Sequence, residues 1–485
     1  MTFKSFILLS IIISLILVSF IYEFKFLDYS ISPINGNWQN VDQYIEIPTS
    51  YFLSGAKLFQ KDFAVSEFAK IYPSFLFPLM GFLFSLTKNM LFNYVIIFIF
   101  LKSIYVFFSY KLSKLLLKKE SLALLATLFL SFSHFIGPDE IGLIEIVPKD
   151  FVFAFIPLIF YLFFKDPKKY YIPIFIALGV LVYFHSISII PIALIFLFSI
   201  LFIKKDYKMF LVSVVIFSIV FLPYFKSNFL EKKPFNLNDL SYVVLWYKLP
   251  DAIKTTGKFF IVILAGLFVM KKENKEIFYW SILLILYSSL TALGPYNDTI
   301  FVIGFFRAMK FVIFFSFIFS TILISRLYKR SKLISVILAL VLFIPFSSIY
   351  YSNIFGGLTK SPSPYLMEIN NAKNVSTWLR ENTDTNALIL IPPDWGSLRP
   401  WSERAVVISN IDAHISSLNK EVTVPIRERF TSVTDAYTQD TSDAILSVAS
   451  KYGANYVVTY KKDLSLPELY SSGNFKVYRY LKNVL

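Results

Sequence analysis

Apolar segments long enough to cross a bilayer follow one another through the first 350 residues, and this succession decides what the chain can fold into. A membrane-spanning helix needs about 20 apolar residues. About eleven such segments are present, centred near Ile13, Phe100, Thr127, Pro157, Ala177, Leu194, Ile216, Leu264, Ile285, Phe314 and Ala339. With 56 % hydrophobic residues and 55 phenylalanines, the chain cannot be a soluble globule over most of its length. The first segment, about residues 6–22, resembles a secretory leader in position. Its end reads Ser19-Phe20-Ile21-Tyr22-Glu23, which offers no small-residue cleavage site, so it reads as an uncleaved helix. The expected fold class is an α-helical polytopic membrane protein of about 11 transmembrane helices with a C-terminal soluble α/β domain.

The net charge of +15 could suggest a nucleic-acid partner, but its distribution does not. From Tyr351 to the C-terminus there are 14 basic and 13 acidic residues, so the excess sits between the apolar spans. Basic clusters at residues 111–119, 165–169, 204–208, 271–275 and 326–332 fall in alternate loops. The positive-inside rule places all five in the cytoplasm. The pattern holds if residues 72–87 form a helix lying in the outer interface rather than a full span. The basic outward loop at 226–258 is an exception, in a length range where the rule is weaker. The expected location is the cell membrane, multi-pass, with the C-terminal domain extracytoplasmic. There is no cysteine, which excludes disulfides, thiolate metal sites and a cysteine nucleophile.

Three regions are expected. Residues 1–351 form a multi-span membrane domain with an acidic outward first loop (23–70) and an in-plane helix (71–88). Residues 352–366 form a linker of turn residues, and 367–485 an extracytoplasmic α/β domain. In that domain the periodicity predicts helices over 368–381 and 444–452, the second ending at Gly453, a residue suited to a left-handed cap. Strands are predicted at 387–391, 405–409, 456–460 and 475–480.

The residues that could carry chemistry cluster in the predicted outward loops. Asp42 lies in Asn40-Val41-Asp42-Gln43-Tyr44, with Glu46 four residues on; in a helix the two would share a face. A carboxylate there could deprotonate an acceptor hydroxyl or hold a divalent cation, the alternative being a solvated loop acid. The second outward loop carries Asp139 and Glu140, which could bind a metal, and Lys149, which could approach a phosphate. His185 occupies a very tight turn between two predicted spans, where it could bond a phosphate or make a structural hydrogen bond. Arg307 sits about two turns inside a late span, a costly position that marks a functional candidate. Its guanidinium could grip a phosphate with two parallel hydrogen bonds, or snorkel to the interface, as neighbouring Lys310 could. In the tail, the loop from Pro392 to Arg404 could contact sugar rings through its tryptophans or simply cover the small sheet. The chain has no GxxxxGK[ST], HExxH or GxSxG motif, which argues against ATP-driven transport and the commonest protease and esterase chemistries.

The combination resembles the GT-C superfamily, the multi-span glycosyltransferases that use polyprenyl-phosphate sugars. The resemblance rests on the acidic first loop with Asp42, the proline-bearing helix at Tyr72-Pro73, the acidic loop at Asp139-Glu140, Arg307, and the α/β tail. It implies a catalytic role for Asp42 and donor-phosphate contact by Arg307, with Lys149, His185 and Glu46 as further substrate-binding candidates. The implied reaction transfers a sugar from a polyprenyl-phosphate donor to a glycan, lipid or protein acceptor at the extracytoplasmic face. The cofactor is unknown, a divalent cation (Mg or Mn) at Asp139 and Glu140 being the candidate. The expected partners also include membrane lipids and no nucleic acid. The phrase Pro392-Pro393-Asp394-Trp395-Gly396 is faintly similar to the Trp-Trp-Asp-Tyr-Gly motif of oligosaccharyltransferases, with only Asp394 and Gly396 in place. Val41 stands where the family's first loop usually has a second acid. The competing reading is a non-enzymatic transporter, flippase or assembly factor for lipid-linked glycans. The scarcity of acids at mid-bilayer speaks against a transporter.

Overall fold

A computed structural model describes residues 43–72, 74–132, 147–226, 259–290, 305–340, 364–415 and 420–480. Contacts divide the chain into two compact units. One is residues 1–24, 94–234 and 244–359; the other is 25–93, 235–243 and 360–485. The first-loop segment therefore groups with the tail.

That segment opens the second unit with three helices: α1 (Gln43–Leu53), α2 (Phe63–Ile71) and α3 (Leu76–Thr87). Asp62 caps α2, its side chain accepting from the Val65 amide. Helices α2 and α3 meet at a 120° bend. Tyr51 packs edge-on against Phe84, joining α1 to α3.

The first unit is helical throughout its described residues. Its elements are α4 (Met90–Leu117), α5 (Glu120–Phe132), α6 (Pro148–Lys165), α7 (Pro167–Phe198), α8 (Tyr207–Phe225), α9 (Phe260–Glu273), α10 (Lys275–Ser289) and α11 (Met309–Tyr328). Among the described residues four helices are long and apolar enough to cross a membrane: α4, α7 with its extension to Ile203, α8 and α11. Counting the bent pair α2–α3 as one span makes five. The expected span at Ile13 lies outside the described residues.

Helix α7 is broken at His185, whose backbone is extended (φ −157°, ψ 90°). The ring contacts show what the break does. Phe184 stacks on Phe151 near the start of α6, whereas Phe196 stacks on Phe163 near its end. Since Pro167 directly follows α6, the chain runs back along α6 to His185 and then reverses. The two spans expected at Ala177 and Leu194 are the arms of this hairpin. Phenylalanine and tryptophan fill the interior, with Trp280 against Phe160, Phe163 and Phe196. Helices α9 and α11 approach so closely at Gly266 that an added Cβ would lie 2.4 Å from the Ser316 Cα.

The tail completes the second unit with α12 (Pro364–Asn382), β1 (Leu388–Leu390), α13 (Leu398–Ser402), β2 (Ala405–Val406), α14 (Asn410–Ile415), α15 (Lys420–Gln439), α16 (Ser442–Tyr452), β3 (Tyr456–Tyr460), β4 (Glu468–Ser472) and β5 (Phe475–Arg479). The sheet order is β2-β1-β3-β5-β4. Strands β2, β1 and β3 are parallel, while β5 is antiparallel to β3 and β4. Alternation along β1 sends Leu388 and Leu390 to one face and Ile389 to the other. The first face packs on Ile426 and Val433 of α15, Ile445 and Ala449 of α16, and Ile71 of α2. The second packs on Ala372, Val375 and Leu379 of α12. The first-loop helix α2 thus belongs to the core of the α/β layers. Gly453 caps α16 at φ +69°, the left-handed conformation anticipated for it.

Candidate functional site

In the first unit, basic side chains from three elements converge. Helix α6 starts at Pro148, whose ring is already set for a first helical position, and presents Lys149 and buried Asp150 in its first turn. The break in α7 delivers His185. A 3₁₀ turn over Phe305–Ala308 holds half-buried Arg307 at the entry to α11, and Lys310 follows one turn later. The positive charges of Arg307, Lys310 and Lys149 all act on His185.

The hydrogen bonds define the middle of this cluster. Lys310 Nζ donates to Ser188 Oγ at 2.6 Å, and Ser188 Oγ lies 2.8 Å from His185 Nδ1. Ser188 thus links the Lys310 side chain to the Nδ1 edge of the His185 ring. Lys310 is 4 % exposed, so it does not snorkel; its ammonium lies over the rings of Phe153 (5.7 Å) and Phe311 (5.4 Å). Asp150 extends the cluster toward α4, where its charge acts on Tyr105. Tyr105 donates to the Leu130 carbonyl and Lys102 to that of Ser131.

Arg307, Lys149 and His185, chosen separately from the sequence, are thus brought together. Ser188 carried no signal in a serine-rich span. Lys102 did carry one, because a lysine in the middle of an apolar span is costly without an interior role. Asp42, Asp139 and Glu140 lie outside the described residues. Among the described residues no three His, Asp or Glu side chains group as a metal site. Among the described residues, the charges that act on His185 are those of Arg307, Lys310 and Lys149, a poor seat for a metal ion. Glu46, on α1, is 4 % exposed; it is a buried carboxylate and not a solvated loop acid.

The second unit contains a different cluster. Arg399 is fully buried and bridges two carboxylates. Its Nε donates to Asp62 at 2.8 Å, and its Nη1 and Nη2 to Asp412 at 2.8 and 2.7 Å. Asp62 also accepts from the amides of Val65 and Val406, and Asp412 from the amide and hydroxyl of Ser409. Burial pushes the Asp62 carboxyl up, and Asp412 adds to this against the opposing pull of Arg399. Burial also works against the Arg399 charge, but the two carboxylates more than offset it and hold the guanidinium above the usual arginine range. Tyr51 of α1 donates to Glu403, a second tie between first loop and tail. This network fastens α1 and α2 to the sheet. The tryptophans suggested for sugar contact are placed otherwise: Trp395 is 2 % exposed and stacks on Phe475, so it is core, while Trp401 is half-buried beside Lys373.

Residues 370–412, which include both Arg399 and Asp412, match a sequence family described as Domain of unknown function (DUF6798). Comparison of the sequence with curated proteins finds no match. Among solved structures, the chain is similar to the archaeal oligosaccharyltransferase AglB from Archaeoglobus fulgidus in complex with an inhibitory peptide and a dolichol-phosphate. The TM-score is 0.52 at 12 % identity, covering 93 % of this chain and 69 % of that one. The same oligosaccharyltransferase tethered to an acceptor peptide containing the NVT sequon gives 0.49 at 13 % identity, over 93 % and 69 %. The first likeness is one of fold: this chain has a GT-C-like architecture of apolar, membrane-protein-like helices with a small sheet in its C-terminal region.

Proposed function

We propose that the protein is a membrane glycosyltransferase that moves a sugar from a polyprenyl-phosphate donor to an acceptor at the extracytoplasmic face. The observation that carries this reading is the convergence of Arg307, Lys149, Lys310 and His185 in a chain of GT-C-like fold. A dianionic or monoanionic phosphate is the ligand such a group suits. Arg307 offers a planar fork for two phosphate oxygens, and Lys310 and Lys149 add point charge. These groups stabilise the negative charge that grows on the departing lipid phosphate as the anomeric bond breaks. A preorganised site does this without reorientation during the step. His185 is held through Nδ1 by Ser188, which fixes the orientation of its ring beside these charges.

Asp42 is the proposed base or acceptor-orienting group, taking the proton of the attacking hydroxyl. Glu46 follows it on α1. Asp139 and Glu140 are the proposed holders of a divalent cation, which when bound would supply further charge to the phosphate.

The test uses purified protein in detergent with a panel of polyprenyl-phosphate sugars and glycan acceptors. Release of polyprenyl phosphate without any membrane gradient is expected. Asp42→Asn should abolish turnover, a loss of about 100- to 10,000-fold, while donor binding persists. No transfer with any donor, together with movement of a lipid-linked glycan across sealed vesicles, would replace this reading with the transporter.

A further inference from the structure

The α/β layers contain a cleft of about 310 Å³ that the transfer reaction leaves unused. It opens beyond the carboxyl ends of β1 and β3, between the Pro392–Asp394 segment and the residues that follow Thr459. The chain leaves β1 to pair β2 on one side and later returns to pair β3 on the other. The gap between β1 and β3 is therefore a topological switch point, the place where open α/β sheets bind ligands. Helix α15 forms the opposite wall, with Phe430 and Thr434 one turn apart on the same face.

We propose that this cleft binds a neutral saccharide of one or two rings. Its volume is at the lower end of the roughly 300–1,000 Å³ that hold small molecules. Phe430 and Tyr437, both on the face of α15 that lines the cleft, offer ring surface to the C–H face of a sugar. Polar groups surround them: Asp394 is exposed, and Asp440 pairs with Lys462 at 2.7 Å. The Thr434 hydroxyl is buried and has no hydrogen-bond partner among the described residues. An apolar ligand would leave that hydroxyl and the Asp394 carboxylate desolvated and unmatched, at a cost. Two carboxylates against one ammonium disfavour a phosphate. Vicinal sugar hydroxyls, which donate to a carboxylate and accept from an ammonium or hydroxyl, match Asp394, Asp440, Lys462 and Thr434 on the wall.

The experiment is saturation-transfer NMR on the full-length protein in a detergent without a sugar headgroup. The probes are glucose, galactose, mannose, N-acetylglucosamine and their disaccharides, with glucose 6-phosphate and ethanolamine as charged controls. Saturable binding of at least one neutral sugar is expected. Asp394→Asn should weaken it about tenfold, the scale of a lost hydrogen bond to a charged group. Thr434→Val keeps the side-chain shape and should weaken binding severalfold while leaving the melting temperature unchanged or slightly raised. Absence of saturable binding to every neutral sugar would overturn the proposal. So would tighter binding of either charged control, or sugar binding that both variants leave intact. No lipid donor is present, so the outcome is independent of the transferase assay.

Discussion

Arg399 in the α/β unit and Lys310 in the helical unit are both nearly sealed from solvent, at 0 % and 4 % exposure, yet their surroundings are opposite in character. Arg399 faces two carboxylates, each of which also accepts backbone amides, so donors and acceptors are matched within the protein. Lys310 shares its neighbourhood with the basic side chains of Arg307, Lys149 and His185. A matched network is what a fold uses to fasten itself together. A gathering of cations is what a site uses to receive an anion, and perturbed groups of that kind concentrate at functional sites.

The largest expected effect tests the first half of that contrast. Arg399→Met leaves two buried carboxylates without their counter-charge, and removing one partner of a buried pair costs about 3–5 kcal/mol. Denaturant unfolding in detergent should show the α/β unit melting early, and Asp62→Ala should behave alike. The double variant should lose much less than the two singles together, since the residues share one network. A loss under about 1 kcal/mol for Arg399→Met, the range of exposed ion pairs, would show that the network holds nothing, and the contrast would fail.

Arg307→Ala tests the other half. Affinity for polyprenyl phosphate should fall about 10- to 100-fold, the scale of a lost charge-assisted hydrogen bond. Stability should stay within about 1 kcal/mol of the parent, because Arg307 is only half-buried and sits at the entry to α11 rather than in its packed interior. An early-melting Arg307→Ala protein with unaltered phosphate affinity would make Arg307 a structural residue.

The two clusters were not equally legible in the sequence. Arg307 stood out because a charge inside an apolar segment is costly, and Lys149 because it lies in a short loop dense in charge between two apolar segments; both signals are visible without a structure. The α/β strands at β1, β3 and β5 were readable from short apolar runs. The Asp62–Arg399 pair was not, since its members lie 337 residues apart and Asp62 looks like an ordinary helix cap. The only sequence hint was an arginine in a loop dense with proline and tryptophan. Helix α15 escaped notice because Pro425 lies inside it and its charged residues hide the apolar spacing of Val422, Ile426 and Val433. Strand β4 escaped because it is an edge strand with an exposed, polar pattern.

Ser188→Ala gives the smallest expected effect and separates a relay from a fastening. The hydroxyl joins Lys310 to His185, and losing one ordinary hydrogen bond costs about 1 kcal/mol. Lys310 would keep the rings of Phe153 and Phe311, so its ammonium should stay near its place. His185, by contrast, would lose the hydrogen bond at Nδ1 that orients its ring. The expected result is a severalfold loss of polyprenyl-phosphate affinity with melting nearly unchanged. If Ser188→Ala instead destabilised the protein as much as Arg399→Met, the Lys310–Ser188–His185 chain would be a second structural fastening. The buried lysine of the helical unit would then be held, like Arg399, by a network that fastens the fold.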